Sequence, residues 1–212
     1  MKPHFRGKIL LFLAVLCLTL AAIPAAADSV LFGNYPIDGT TDAYTINNGY
    51  EATDGFYILS ITGYTIDEFK FGAWLYPGDK VTSVTWSLDS LPFGVDGKTA
   101  KNTNYGLGAG CSDCGTVTTK YISTNEYGYE INEVTVSGLN GGKGVAVPAN
   151  GYGIWLTLKD AIAVGSSKLT NDPVFWDVKS CSTWWYFCPF AYYIGPPALS
   201  PVAPNSLQII GH

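Results

Sequence analysis

The 212-residue chain has almost no arginine and almost no histidine, two side chains on which many phosphate-binding and catalytic sites depend. Arg6 is its only arginine, and His4 and His212 are its only histidines. Ser-His-Asp and Cys-His centres, and zinc sites rich in histidine, therefore lack the imidazoles they need. The whole chain carries 12 Lys+Arg against 17 Asp+Glu, and an acidic protein with so little arginine does not offer the cationic surface that nucleic acids require. We expect neither imidazole catalysis nor nucleic-acid binding.

The first 27 residues have the composition of a secretory signal peptide. An apolar run over 9–22 follows a basic start, and small residues precede a predicted cleavage near Ala27. The run is shorter than a membrane span, and no later stretch is long enough, so we expect no transmembrane anchor in the mature chain. Cleavage predicts a secreted protein, extracellular or periplasmic, whose net charge is −8 because three of the 12 basic residues leave with the leader. An uncleaved signal anchor is the alternative.

Four of the five cysteines lie beyond the leader: Cys111, Cys114, Cys181 and Cys188. An even number in an exported chain indicates disulfides. Three pairings are possible, and we favour Cys111–Cys114 and Cys181–Cys188 because each closes a short loop. A redox Cys-x-x-Cys motif and a four-thiolate zinc site are the alternatives. The redox motif normally opens a helix, whereas Cys111 follows a glycine-rich stretch without a helical pattern.

Short alternating runs of apolar and polar residues dominate the rest of the chain. Val84, Trp86 and Leu88, for example, alternate with Ser and Thr, which is typical of a strand with one buried face. The other predicted strands are 44–46, 56–61, 69–75, 116–122, 129–136, 154–159 and 174–176, and turns are predicted at 77–79, 140–144 and 149–151. This pattern predicts an all-β fold, an antiparallel β-sandwich of jelly-roll type with about eight or more strands, and a closed barrel is the alternative. We expect one domain over 28–194, followed by a proline-rich extended tail over 195–212.

Several longer segments follow one another in a distinctive order, namely Gly39–Ile46 with Gly49 and Tyr50, Phe71–Leu88, Gly153–Ala161 and Asp172–Asp177. This ordered set resembles a group of exported bacterial proteins, many of which carry a Pro-Glu-Pro C-terminal sorting signal (PEP-CTERM). The resemblance implies a secreted, surface-associated β-sandwich without known catalytic residues. Residues 202–211 are similar to the start of such a signal, but the Pro-Glu-Pro core, the transmembrane run and the basic cluster do not follow. We therefore expect free release rather than sorting to the membrane.

Aromatic residues are densest between Phe175 and Tyr193. Trp184, Trp185 and Tyr186 lie inside the loop that the second predicted disulfide would close. Their flat amphipathic rings suit stacking on sugars. Adjacent tryptophans on an extended segment cannot both face inward, so we predict a ligand-binding site here. The alternative is that these rings cap one end of the core.

Four aspartates are candidate metal ligands because they lie near predicted loops or strand ends: Asp38, Asp42, Asp172 and Asp177. Calcium is bound by carboxylate and carbonyl oxygens, so a structural calcium ion is one interpretation. No Asp-x-Asp-x-Asp loop is present, and ordinary turn aspartates are the alternative. We expect no other cofactor.

A glycosidase needs two carboxylates about 5 to 10 Å apart. Glu126 and Glu130 would share one face of a strand but lie roughly 13 Å apart, and Glu130 and Glu133 would face opposite sides. We therefore expect a non-enzymatic, secreted cell-surface or extracellular-matrix module, whose partners are extracellular polysaccharide or cell-surface components. A carbohydrate-binding protein using the segment around Trp184 and Trp185 is the alternative, and a glycoside hydrolase is a distant third.

Overall fold

The computed structural model describes nine stretches of the chain, and they form two antiparallel sheets. The stretches are 28–40, 42–58, 60–89, 115–147, 153–165, 172–179, 191–195, 198–202 and 204–212. The strands are β1 (Ser29–Asn34), β2 (Ala43–Thr45), β3 (Glu51–Phe56), β4 (Tyr64–Leu75), β5 (Lys80–Asp89), β6 (Thr116–Thr124), β7 (Glu130–Ser137), β8 (Val145–Val147), β9 (Ile154–Val164), β10 (Phe175–Asp177), β11 (Ala191–Gly195), β12 (Ala198–Val202) and β13 (Leu207–Gly211). The prediction of an all-β antiparallel sandwich is confirmed.

The larger sheet is organised around the 12-residue strand β4. Its path runs β1-β13-β4-β10-β2, with β7 and β8 also pairing with β4 and β6 pairing with β7. The smaller sheet has the order β12-β11-β3-β9-β5. Strands distant in sequence are therefore neighbours in both sheets. The core lies between the two sheets.

Alternation along the strands places the core residues as the sequence predicts. Phe69 and Phe71 of β4 are fully buried, as are Trp86 of β5 and Leu156 of β9. The rings of Phe69 and Trp86 meet edge to face with centroids 5.6 Å apart, an arrangement that aromatic pairs favour. Side chains from the two sheets thus interlock in one core.

The strand predicted over 56–61 is wrong. The strand β3 ends at Phe56, and Ile61 is 91% exposed. The strand lies instead at Glu51–Phe56. It contains two buried polar residues, Thr53 and Asp54, so a search for runs of apolar residues does not identify it. Thr53 satisfies its hydroxyl by donating to the Leu156 carbonyl over 3.0 Å. The Asp54 carboxylate accepts a 2.7 Å hydrogen bond from the Asn205 N–H.

The prediction of a tail over 195–212 is also wrong, because this segment contributes two strands. β13 lies between β1 and β4, and Leu207 and Ile209 are fully buried. β12 contains Pro201 and lies at the edge of the smaller sheet. A strand at an edge tolerates a proline because its missing N–H is not needed by a second neighbour. The prolines therefore interrupt the alternating pattern of the sequence, but the segment still forms strands of both sheets.

Two of the predicted turns are confirmed, and the third, at 149–151, falls in a part of the chain that is not described. Gly78, with φ of 86°, turns the chain between β4 and β5. The short helical turn α1 (Leu139–Gly142) is left-handed at Asn140 and Gly141, a conformation that glycine adopts readily. Across the described stretches, no helix has the length and apolar character needed to cross a membrane.

Candidate functional site

Five aromatic side chains gather on the outer face of the larger sheet: Trp74, Tyr76, Tyr127, Tyr129 and Phe175. We call this group the outer-face cluster. Because successive residues of a strand point to opposite sides, Trp74 projects away from the core that its neighbour Ala73 enters. Register places Trp74 beside Ile131 of β7 on one side and Phe175 of β10 on the other. Three strands thus bring their apolar side chains together on a face that points away from the partner sheet.

The rings of the outer-face cluster pack in contact with one another. Tyr127 stacks on Trp74 with centroids 6.0 Å apart and an interplanar angle of 22°. Tyr129 lies 6.1 Å from Trp74, 5.5 Å from Tyr76 and 5.5 Å from Phe175, the last in an edge-to-face arrangement. These separations are those at which aromatic pairs attract. The cluster is therefore a packed surface, with each ring held in place by its neighbours.

Exposure differs strongly between the base and the top of the cluster. Trp74 is only 6% exposed, whereas Tyr76 is 37% and Tyr127 is 61% exposed. The exposure of Tyr129 is intermediate. Burial, together with the adjacent Tyr76 hydroxyl, raises the pKa of the Tyr129 phenol. The surface open to solvent is therefore formed mainly by two tyrosines, which offer both ring faces and hydroxyl groups.

The turn between β6 and β7 presents Tyr127 and Tyr129 on the same side. Asn125 accepts hydrogen bonds on its side-chain oxygen from the N–H of Tyr127 at 3.1 Å and of Tyr129 at 3.0 Å. The Asn125 N–H in turn donates to the Tyr129 carbonyl at 3.0 Å. Gly128 adopts a φ of 83°, which its lack of a side chain permits. The sequence Asn-Glu-Tyr-Gly-Tyr therefore fixes the two rings through local hydrogen bonds.

A buried carboxyl lies beneath the cluster. The indole N–H of Trp74 donates to Asp177 Oδ1 over 2.7 Å. Burial raises the pKa of Asp177 to about 6; the hydrogen bond from Trp74 opposes this shift, and the negative charge of Asp38 adds to it. The tryptophan at the base of the cluster is thus held in a fixed orientation by a carboxyl whose pKa is raised by burial.

Two further polar contacts flank the cluster. The Tyr35 hydroxyl donates to Glu133. Burial, together with this hydrogen bond and the negative charge of Glu133, raises the pKa of Tyr35. Lys179 forms an ion pair with Asp38. Burial acts to raise the pKa of Asp38, but the hydrogen bonds from Lys179 and Thr40 outweigh it and lower the pKa. Carboxylates are therefore prominent around the aromatic surface, and this lysine is already paired with one.

The predicted aromatic ligand site and the predicted disulfides lie in parts of the chain that the structure does not describe. This holds for Trp184, Trp185 and Tyr186, and for Cys111, Cys114, Cys181 and Cys188. Both remain predictions.

The four aspartates predicted as calcium ligands have separate roles. Asp42 is exposed, and its side chain accepts a 2.8 Å hydrogen bond from the Ala43 N–H. Asp172 is buried, and its backbone carbonyl accepts a 2.8 Å hydrogen bond from the Asn47 side-chain amide. Asp38 and Asp177 are neighbours in the surroundings of the outer-face cluster, as described above. Over the described stretches, one group of three metal-ligating side chains has its ligand atoms close together, and none of the four aspartates belongs to it.

Of the glutamates considered for glycoside hydrolysis, Glu130 and Glu133 are arranged as the sequence predicts, whereas the prediction that Glu126 shares a strand face with Glu130 is wrong because Glu126 is not in a strand. Glu130 pairs with Leu75 and Glu133 with Gly72 in an uninterrupted register, so the two side chains leave opposite faces of β7. Glu126 lies in the turn before β7 and is exposed.

The outer-face cluster was not predicted as a site. Its signal in the sequence is the alternation of Trp74 against the core residues of β4, together with a Tyr-Gly-Tyr turn 53 residues later. Nothing in the sequence indicates that these two segments meet, because their contact depends on the pairing of β4 with β7.

No protein-family model matches this chain, and neither a curated protein nor a solved structure gives a significant match.

Proposed function

We propose that this chain is an exported, non-enzymatic β-sandwich module that binds a neutral extracellular polysaccharide through the outer-face cluster. The observation that carries the proposal is the stack of Tyr127 on Trp74 beside the exposed Tyr76, on a sheet face directed away from the core.

A saccharide fits this surface for two chemical reasons. Pyranose rings have faces rich in C–H groups, which pack against aromatic rings, and Tyr76 and Tyr127 are the exposed rings of the cluster. Sugars also carry hydroxyl groups around their edges, and the tyrosine hydroxyls can exchange hydrogen bonds with them. A small number of polar groups on a largely aromatic surface is typical of small-molecule sites.

The surrounding charge favours a neutral sugar over an acidic one. Glu133 and Asp38 flank the cluster; Lys179 is already engaged by Asp38, and the register of β6 with β7 places the exposed Lys120 opposite Glu133. Without the predicted leader the chain carries a net charge of −8. Uronic acids and sulfated sugars would approach like charge, which disfavours their binding.

A binding role without catalysis agrees with the placement of the acids. Glu130 and Glu133 leave opposite faces of β7, and the Asp177 carboxyl is fully buried beneath Trp74. A glycosidase instead positions two carboxylates on either side of one glycosidic bond. A module at the cell surface or in the extracellular matrix needs only the binding surface.

The proposal is tested on a glycan array and by affinity electrophoresis with the exported, leader-free protein. We expect retention by neutral polysaccharides and a loss of about tenfold in affinity on Tyr127→Ala, which corresponds to about 1.4 kcal/mol. Tyr121→Ala is the matched control. Tyr121 is 54% exposed in the strand β6 of the same hairpin, and its pairing with Asn132 puts it on the opposite face from Trp74.

The absence of retention by any glycan would contradict the proposal. An equal loss of affinity in the Tyr127→Ala and Tyr121→Ala variants would also contradict it. A third variant, with Trp184→Ala and Trp185→Ala together, compares this site with the one predicted from the sequence. Loss of binding in that variant, combined with full binding by Tyr127→Ala, would also contradict the proposal, because the site would then lie around Trp184 and Trp185.

A further inference from the structure

Three side chains that are distant in the sequence meet at one corner of the larger sheet. Asp28 precedes β1, Asp67 lies in β4 and His212 follows β13. Ser29 pairs with Gly211 across β1 and β13. Backbone hydrogen bonds of 2.7 and 3.0 Å join His212 to Thr65 of β4. Sheet pairing therefore holds the start of β1 beside the end of β13, and backbone hydrogen bonds hold His212 against the start of β4.

The ligand atoms of the three side chains converge. His212 Nδ1 lies 2.9 Å from Asp67 Oδ2 and 3.9 Å from Asp28 Oδ1. All three ligand atoms are within 4.8 Å of one another. Ligands of a tetrahedral zinc ion at bond lengths of 2.0–2.2 Å lie roughly 3.4 Å apart. The spacing thus requires only small side-chain rotations to enclose an ion.

Glycine residues shape this corner. A Cβ atom on Gly211 would overlap the carbonyl oxygen of Thr65, and one on Gly144 would lie 2.5 Å from Asp67 Oδ1. The backbone at Gly144 therefore approaches Asp67 closely on one side, and the Asp67 side chain is only 22% exposed. The Asp28 and His212 side chains are about half exposed, which leaves a route for an ion from solvent.

The charge of the group favours a cation. In the part of the chain that the structure describes, the ion pairs of Asp28 and Asp67 are both with His212. One imidazole carries at most one positive charge, so with two carboxylates the group has a charge of −1 when the imidazole is protonated and −2 when it is neutral. A divalent cation between the carboxylates removes their mutual repulsion.

We propose that Asp28, Asp67 and His212 form a binding site for a divalent transition-metal ion, with zinc as the best fit. The neutral imidazole supplies a nitrogen ligand through Nδ1, the two carboxylates supply oxygen ligands, and water completes the coordination. A mixed nitrogen and oxygen set of this kind suits zinc better than calcium, which takes six to eight oxygens. The ion links β1, β4 and β13 and stabilises the folded protein, since the unfolded chain does not assemble the site. The zinc site is independent of the proposed saccharide site.

Calorimetric titration with zinc chloride tests the proposal. The exported protein is purified without a histidine tag, treated with EDTA and alkylated, so that free thiols do not bind the ion. We expect one zinc equivalent, and a rise in Tm of about 5 to 10 °C at a zinc concentration a hundred times the Kd. His212→Gln and Asp67→Asn should each weaken zinc binding at least tenfold, whereas Asp42→Asn, at an exposed position whose side-chain oxygen is retained, should leave it unchanged.

The zinc-dependent change in Tm is the decisive quantity, because both variants also remove the direct contact between Asp67 and His212. The proposal is overturned if zinc produces neither heat nor a rise in Tm. It is equally overturned if both variants keep the affinity of the unaltered protein, since the ion would then be bound elsewhere.

Discussion

Trp74 donates its indole N–H to Asp177 Oδ1 over 2.7 Å, and both side chains are buried on the outer side of the larger sheet. The bond joins adjacent strands, since β10 pairs with β4. It also fixes the plane of the indole on which Tyr127 stacks. The orientation of the exposed aromatic surface therefore depends on a hydrogen bond beneath it.

Replacing Trp74 by Phe should destabilise the protein by about 2 to 3 kcal/mol in urea unfolding at pH 8. The change removes the hydrogen bond that Trp74 donates to a charged, buried acceptor, and such bonds to charged groups contribute about 1.5 to 3 kcal/mol. In the Asp177→Asn background the same replacement should cost less, because a neutral acceptor loses less when its donor is removed. Equal costs of Trp74→Phe in the two backgrounds would show that packing, rather than the hydrogen bond, accounts for the loss.

The Asp177→Asn variant should become more stable relative to the unaltered protein as the pH rises from about 4 to about 6. Burial raises the pKa of Asp177 from 3.8 to about 6 in the folded protein, so in this window the unfolded chain has lost a proton that the folded protein retains. Stability then decreases with rising pH, and the variant lacks that decrease. The relative gain should reach about 2 to 3 kcal/mol above pH 7 in urea unfolding. A difference that stays constant between pH 4 and pH 8 would contradict the prediction.

Gly72→Ala should destabilise the protein by about 2 kcal/mol or more. A Cβ atom at Gly72 would lie 2.5 Å from Ser206 Oγ, 2.7 Å from Ile37 Cγ2 and 2.8 Å from Asp177 Cβ. These are buried neighbours, and Ser206 Oγ also accepts the Gly72 N–H. Gly33→Ala is the control, because its nearest contact would be an ordinary 3.8 Å. Thermal unfolding of both variants checks the prediction, which fails if their Tm values are equal.

Local alternation accounts for most of what the sequence predicts correctly. Val84, Trp86 and Leu88 are buried in one strand, as are Phe69 and Phe71 in another, because a strand with one face in the core needs apolar residues at every second position. The pattern is local, so it can be recognised without knowing which strands pair.

The composition of the outer-face cluster could not be predicted in this way. Alternation places Trp74 opposite the core, but Tyr129 and Phe175 reach it only through the pairing of β4 with β7 and β10. Those partners are separated from Trp74 by 55 and 101 residues in the sequence. Which side chains share an outer face therefore depends on strand order and register, and neither is encoded in any one segment.

The strand β13 was missed for a different reason: its residues alternate as in a strand, but the prolines nearby favour the prediction of an extended tail. Leu207 and Ile209 alternate with Gln208 and Ile210, yet the nearby prolines suggested an extended tail. Leu207→Ala and Ile209→Ala should each cost about 2 to 4 kcal/mol in urea unfolding, because each leaves a cavity in the core. Gln208→Ala, between them on the other face, should change stability by less than about 1 kcal/mol. Three equally small effects would mean that this segment does not form a core strand.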